Sequence, residues 1–179
     1  MAAKAGVFPA DGPVRAMVLP MGGDYAVVPS AMLAEVVTRS TLTVRPDAPG
    51  WVRGSITWRT REVPVVSLGR AALERVVEAD AGQRKLAILF ALSGTTALPA
   101  YAVECDAVPR PVLASEASTR LTSTSSEGRP FSKLSVRIDG EAAFVPDLDA
   151  LETAMLEGAQ SWMRFAAADG PGRSVAGSD

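Results

Sequence analysis

The chain has 179 residues, a formal net charge of −2 at pH 7, one cysteine and no histidine. A hydrophobic fraction of 47% and a charged fraction of 21% are typical of a folded globular protein. The lack of histidine, of a second cysteine and of a basic stripe argues against a disulfide framework, a Cys/His zinc site, Ser-His-Asp or Cys-His catalysis, and nucleic-acid binding.

Neither a secretory signal nor a membrane span is expected from the sequence. Residues 1–10 lack the continuous apolar stretch of roughly 7–15 residues that a secretory signal needs. The most apolar run, 86–92, is less than half of the roughly 20 residues that cross a bilayer as a helix. We therefore expect a cytoplasmic protein and interpret the apolar run as a buried strand.

Short apolar or β-branched runs alternate with turn residues along the first half of the chain, which predicts hairpins and short connections. Pro29 and Ser30 offer a start for a helical turn over 31–34. The other predicted elements are strands over 14–20, 25–28, 35–43, 55–58 and 62–67, an Arg59-Thr60-Arg61 corner between the last two strands, and a short helix over 68–77.

The second half also opens with a predicted hairpin, formed by 85–92 and 98–103. Pro109 and Pro111 indicate an edge or bulged segment, because proline cannot donate a hydrogen bond to a central ladder. The Ser/Thr-rich stretch 116–129 predicts a long exposed loop.

The last predicted elements are a hairpin and a C-terminal helix. Asp139-Gly140, between the runs 131–138 and 141–145, is a strong hairpin signal. Asp149 followed three residues later by Glu152 matches a capping box at the start of a helix.

Many short strands with frequent turns and only short helices predict a mainly β fold of antiparallel barrels or a sandwich. Each half of the chain opens with a hairpin and closes with a helix, which favours two similarly built barrels. The expected organisation is a flexible leader over 1–13, a first subdomain over about 14–77, a second over about 85–167, and a disordered tail over 168–179.

The most informative stretch is 46–68, which combines a Pro-containing loop, a Trp-containing turn, Gly54, a strand that ends in Arg59, and Val63-Pro64-Val65-Val66. In order and spacing it resembles the signature of CheW-like domains. The segments 33–37 and 103–108 also resemble family elements, so the resemblance extends from about residue 14 to 156. Thr60 and Ser67 depart from the Gly and Asp that the family usually has, which implies an atypical branch.

The resemblance implies two SH3-like five-stranded β-barrel subdomains with short helices, in a non-enzymatic adaptor that needs no cofactor or metal. The implied partners are the regulatory domain of a CheA-like histidine kinase and the cytoplasmic tip of a chemoreceptor. Trp58 before Arg59, together with the diffuse match in the second half, looks more like the adaptors of pilus-associated chemosensory systems that control twitching motility.

The same resemblance assigns roles to individual residues. It places Glu35 beside Arg59 on the receptor-facing surface, and it makes Leu33 and Trp58 further candidates for partner contacts. From the residues alone, Arg59 also fits a solvated surface arginine, Leu33 fits a core residue on the same strand face as Glu35, and Trp58 fits a packing residue.

Gly54 and Pro64 are interpreted as structural residues of the motif, and Gly54 as a position of positive φ or of close backbone approach. Cys105 is interpreted as a small buried side chain. Asp147, Asp149 and Glu152 fit helix capping better than a paired-carboxylate site. Two other functions stay open from the sequence: a small β-barrel enzyme without histidine, and a structural protein that fills an array without engaging a kinase.

Overall fold

The structure is a computed structural model, and it describes residues 12–21, 23–38, 41–45, 48–69, 85–124 and 131–162. The predicted tail and most of the predicted leader and of the helix over 68–77 lie outside these residues. The strands are β1 Val14–Met21, β2 Asp24–Pro29, β3 Leu33–Val37, β4 Val52–Trp58, β5 Arg61–Val66, β6 Lys85–Phe90, β7 Ala100–Cys105, β8 Arg110–Ala114, β9 Thr119–Ser123, β10 Ser132–Ile138 and β11 Glu141–Pro146; a 3-10 turn covers Ser30–Met32 and helix α1 covers Leu148–Trp162.

All four hairpins predicted from turn signals are present: β1 with β2, β4 with β5, β6 with β7, and β10 with β11. At the last of them, Asp139 and Gly140 have φ values of 51° and 87°. Two consecutive residues with positive φ between directly paired strands form a type I′ turn, the connection that Asp-Gly favours. The hairpin prediction from this dipeptide is therefore confirmed.

The strands form two sheets, which confirms the predicted mainly β fold. One sheet has six strands in the order β8-β1-β2-β11-β10-β9, and the other has five in the order β3-β6-β7-β5-β4. The sheets do not follow the division of the chain near residue 80. Strands β6 and β7, which come after it, pair with β3 and β5, which come before it.

The five-stranded sheet is rolled so that its two outer strands meet. In a flat sheet of this size, β3 and β4 would lie roughly 19 Å apart. Instead, Glu35 of β3 lies within hydrogen-bond distance of Trp58 of β4. The chain that leaves β3 also forms a bridge to β4, in which Thr43 N donates to Ser55 O at 2.8 Å and Ser55 N donates to Thr43 O at 2.9 Å.

The six-stranded sheet is rolled in the same way. Its outer strands β8 and β9 are joined by a tight turn, in which Thr119 N donates to the carbonyl oxygen of Ser115 at 2.8 Å. Ser118 Oγ donates to the carbonyl oxygen of Leu113 at 3.1 Å and fixes the start of the turn. A flat sheet of six strands would separate these edges by roughly 24 Å, which four connecting residues cannot span.

The largest apolar cluster lies between the two sheets and helix α1. It joins Leu19 and Phe144 of the six-stranded sheet to Leu89 of the five-stranded sheet and to Leu151 and Met155 of α1. Each of these side chains is at most 1% exposed. Such burial contributes about 1.5–3 kcal/mol for a large apolar side chain, so this cluster holds the sheets together as one body.

Three predicted details were wrong in the second half of the chain. The stretch expected to be an exposed loop contains strand β9, which pairs with β10 over residues 119–123. The cap of α1 is Asp147, whose Oδ1 accepts a hydrogen bond from Ala150 N at 3.1 Å, rather than Asp149. Glu152 takes no part in capping, because its carboxylate bonds to a loop outside the helix.

Two other boundaries differ from prediction, while one edge strand is confirmed. The helical turn before β3 ends at Met32, and β3 already includes Leu33 and ends at Val37. Pro111 lies in β8, which is an outer strand of its sheet, as the prolines of this region predicted.

Within the described part of the chain, no helix combines the length and apolar character that a membrane crossing requires.

Candidate functional site

The turn between β4 and β5 presents Arg59 to solvent. Arg59 and Thr60 have φ values of 46° and 69°, and Trp58 pairs directly with Arg61, which defines a two-residue type I′ turn. Neither residue is glycine, asparagine or aspartate, the types that tolerate positive φ best. The left-handed backbone therefore costs about 1–2 kcal/mol per residue.

Glu35 contacts both Trp58, the last residue of β4, and Arg59 in the turn that follows it. Its Oε2 accepts a hydrogen bond from Trp58 Nε1 at 2.9 Å and lies 3.7 Å from Arg59 Nη2. The guanidinium of Arg59 also lies over the Trp58 ring, 4.6 Å from its centroid. The side chains of Arg59 and Glu35 are 65% and 47% exposed, so their ion pair contributes only about 0–1 kcal/mol to stability.

Phe90, at the end of β6, extends this group. Its ring packs edge-on against Trp58 at a centroid distance of 6.4 Å, and the residue is 47% exposed. We call Glu35, Trp58, Arg59 and Phe90 the contact patch. An exposed aromatic ring beside an arginine is a combination that protein interfaces favour.

Sequence reasoning missed Phe90 because it assigned the whole run 86–92 to a buried strand. The signal that could have found it is its place near the end of the run, just before the turn residues Ser93 and Gly94. Trp58 is half-buried against the second apolar cluster, which includes Ile56, Val63 and Ile88. It therefore packs in the barrel, while its ring also contacts Arg59 and Phe90.

Leu33 lies apart from the contact patch. A β-bulge in β3 pairs Leu33 with Leu89 but Glu35 with Ile88. Leu89 and Ile88 are consecutive and face opposite sides of the sheet, so Leu33 and Glu35 lie on opposite faces. The expectation that they share a strand face was wrong. Leu33 packs against the cluster between the sheets and is half-buried.

Gly54 holds the strand next to the chain that crosses from β3. It has a φ of 143°, and a Cβ placed on it would lie 2.1 Å from the carbonyl oxygen of Thr43 and 2.9 Å from its carbonyl carbon. A distance of that size is a steric overlap, so this position requires glycine. Pro64, the other predicted structural residue, lies in β5 just before its parallel pairing with β7 begins at Val65.

Polar side chains on both sides of Gly54 anchor β4. Arg53 Nε donates to Glu104 Oε2 on β7 at 3.0 Å, and both side chains are almost buried. Ser55 Oγ donates to Glu62, which also forms an ion pair with Arg45 at 2.7 Å. Burial alone would raise the pKa of Glu62, but the Ser55 hydrogen bond and the Arg45 charge outweigh it and lower that pKa.

Cys105 is buried on β7, as predicted. Burial first, and then the charges of Asp106 and Glu104, outweigh a backbone hydrogen bond and raise the pKa of the thiol to about 12. We expect the native protein to resist alkylation by iodoacetamide at mildly alkaline pH, because little thiolate forms and the sulfur is covered. Mass spectrometry should detect the adduct only after unfolding in urea, and rapid native labelling would contradict the assignment.

No group of three or more potential metal ligands occurs within the described residues. Asp147 and Glu152 each have a structural partner near α1, the first as a helix cap and the second as an acceptor for the loop between β6 and β7. The contact patch itself presents an exposed ion pair and aromatic surface.

Comparisons with known proteins bear on the family and the fold. The model of the CheW-like domain family matches residues 15–154. The crystal structure of the scaffolding protein TtCheW from Thermoanaerobacter tengcongensis superimposes with a TM-score of 0.59 at 18% sequence identity, and the match covers 75% of this chain and 88% of that chain. That likeness shows a shared fold. No curated protein matches the sequence.

Proposed function

Because the chain belongs to the CheW-like domain family, we propose that it is a non-enzymatic adaptor that couples a chemoreceptor to a CheA-like histidine kinase. The family match over residues 15–154 is the observation that carries this proposal, since it covers both sheets and the start of α1. The adaptor would act in the cytoplasm, where receptor tips and such kinases meet.

The contact patch supports the receptor side of this proposal. Arg59 offers a planar guanidinium that binds carboxylates and carbonyl oxygens, and Trp58 with Phe90 offers an aromatic surface beside it. Recognition of a receptor helix needs an apolar contact and a few polar anchors, both of which this patch supplies. The Trp-Arg pair at the end of β4 is also what favours the pilus-associated branch within the proposal.

The kinase side is tested by co-purification. The tagged protein should bind the isolated regulatory domain of a CheA-like kinase encoded in the same genome. It should also form a ternary complex when a purified cytoplasmic-tip fragment of a receptor is added. Size-exclusion chromatography with light scattering would measure both complexes.

Two outcomes would reject or narrow the proposal. If no kinase regulatory domain from that genome binds, kinase coupling is wrong. If the protein binds the receptor fragment but never the kinase, it fills the array as a structural component without coupling.

A further inference from the structure

A buried carboxylate on α1 holds the loop between β6 and β7. Glu152 is 2% exposed. Its Oε1 accepts a hydrogen bond from Leu92 N and its Oε2 accepts one from Ser93 N, both at 2.8 Å. Hydrogen bonds to a charged acceptor are roughly twice as strong as neutral ones, so this pair is a firm attachment between helix and loop.

The attachment lies just beyond the last rung of the hairpin. The backbone bond from Ala91 N to the carbonyl oxygen of Pro99, at 3.1 Å, is followed by two residues that bond to the helix instead of the opposing strand. The position of the chain beyond Ala91 is therefore set by α1, whereas Phe90 itself still pairs with Ala100 in the hairpin. Phe90, the contact-patch residue, is two positions before Leu92.

Burying a glutamate at this position lowers stability unless its carboxylate is hydrogen-bonded. Leu151 and Met155 on the same helix belong to the core. An apolar residue would be buried there with a smaller desolvation penalty than a glutamate. Tyr101 is also fully buried here, and its burial, together with the charge of Glu152, raises the pKa of its hydroxyl well above the ordinary value. A charge kept in such surroundings needs its hydrogen-bond partners in place.

We propose that Glu152 is a positioning residue for the contact patch: by fixing the backbone at Leu92 and Ser93, it fixes Phe90 against Trp58. This inference rests on the proposed function, because it assumes that the patch binds a receptor. The path from the carboxylate to the patch runs through four consecutive residues of one chain segment and one ring contact, at 6.4 Å between ring centroids.

Amide hydrogen exchange tests the attachment without any partner. Glu152→Gln keeps the shape of the side chain but leaves one carbonyl oxygen and no charge to accept two N–H bonds. Exchange at Leu92 and Ser93 should accelerate by about tenfold or more, while the central amides of β7 keep their protection. Glu152→Asp retains the charge but is one methylene shorter, so it should also accelerate hydrogen exchange at Leu92 and Ser93.

Receptor binding tests the consequence for the patch. Glu152→Gln should weaken binding of a purified receptor-tip fragment by about tenfold. Phe90→Ala should reproduce that loss while exchange at Leu92 and Ser93 stays slow. Binding of the kinase regulatory domain should be unchanged in both variants, which separates this inference from the proposed function.

Each contrary result has a definite meaning. Unchanged exchange at both amides would show that the carboxylate does not hold the loop. Faster exchange with normal receptor binding would reject the positioning role, even if the adaptor function is intact. Global unfolding in both Glu152 variants would make the residue a general stabilising group and would also reject the role.

Discussion

Replacing Gly54 by alanine should lower the free energy of unfolding by about 4–5 kcal/mol or abolish folding, which is exceptional for a single methyl group. The added Cβ would lie 2.1 Å from the carbonyl oxygen of Thr43. Thr43 cannot retreat freely, because its N–H and its carbonyl oxygen are both bonded to Ser55. The clash would separate the crossing chain from β4, and that bridge helps to close the five-stranded barrel.

Gly94→Ala is a control for a glycine with positive φ and no close neighbour, although its φ of 58° is easier for alanine than the 143° of Gly54. Gly94 also has positive φ, at 58°, but nothing lies within 4 Å of its added Cβ. Its alanine variant should pay only the backbone cost of about 1–2 kcal/mol. Urea unfolding of both variants, followed by circular dichroism, measures the difference. A loss at Gly54 no larger than the loss at Gly94 would show that the close approach to Thr43 does not make Gly54 necessary.

Local features of the fold could be predicted from the sequence, whereas long-range pairings could not. Asp139-Gly140 specifies its turn through the φ angles that only a few residue types tolerate. The pairing of β6 with β3 has no such local signal, because hydrophobic strands can pair with many partners until the whole core is formed. The hydrogen bonds of Glu152 to the β6–β7 loop could not be predicted for the same reason, since its partners are about 60 residues away in sequence.

The contact patch was accessible from the sequence only in part. Family resemblance placed Glu35 beside Arg59, and the two side chains lie 3.7 Å apart. Spacing alone could not do this, because β3 and β4 are the outermost strands of their sheet and meet only after the sheet rolls up. Alternation along β3 also failed for Leu33, since a β-bulge shifts the side-chain order between it and Glu35.

Two type I′ turns within the described residues use different kinds of residue. One uses Asp139-Gly140, residues suited to positive φ, and the other uses Arg59-Thr60, which are not. Backbone strain of this kind persists at contact and catalytic sites, where the side chain matters more than the turn. The strained turn is the one that carries the arginine of the contact patch.

Reversing the charge of Arg59 should therefore separate binding from folding. Arg59→Glu loses an exposed ion pair worth about 0–1 kcal/mol and a cation–π contact worth about 0.5–1 kcal/mol, so the melting curve should shift only slightly. Binding of a receptor-tip fragment should weaken by about a hundredfold or more, because like charges placed in an interface cost several kcal/mol. Arg120→Glu, an exposed charge reversal on β9 of the other sheet, should bind normally.

Glu35→Arg should weaken binding in the same way, and the double reversal tells which contact matters. If Arg59 and Glu35 act mainly on each other, the double variant should recover part of the binding. If Arg59 acts on the partner, the double variant should bind as weakly as Arg59→Glu alone. The double substitution Arg59→Asn, Thr60→Gly provides an independent check, because it supplies the residues that a type I′ turn favours. It should keep or raise stability while receptor binding is lost. Unfolding of Arg59→Glu would make Arg59 structural, and full binding by the Asn-Gly variant would remove Arg59 from the interface.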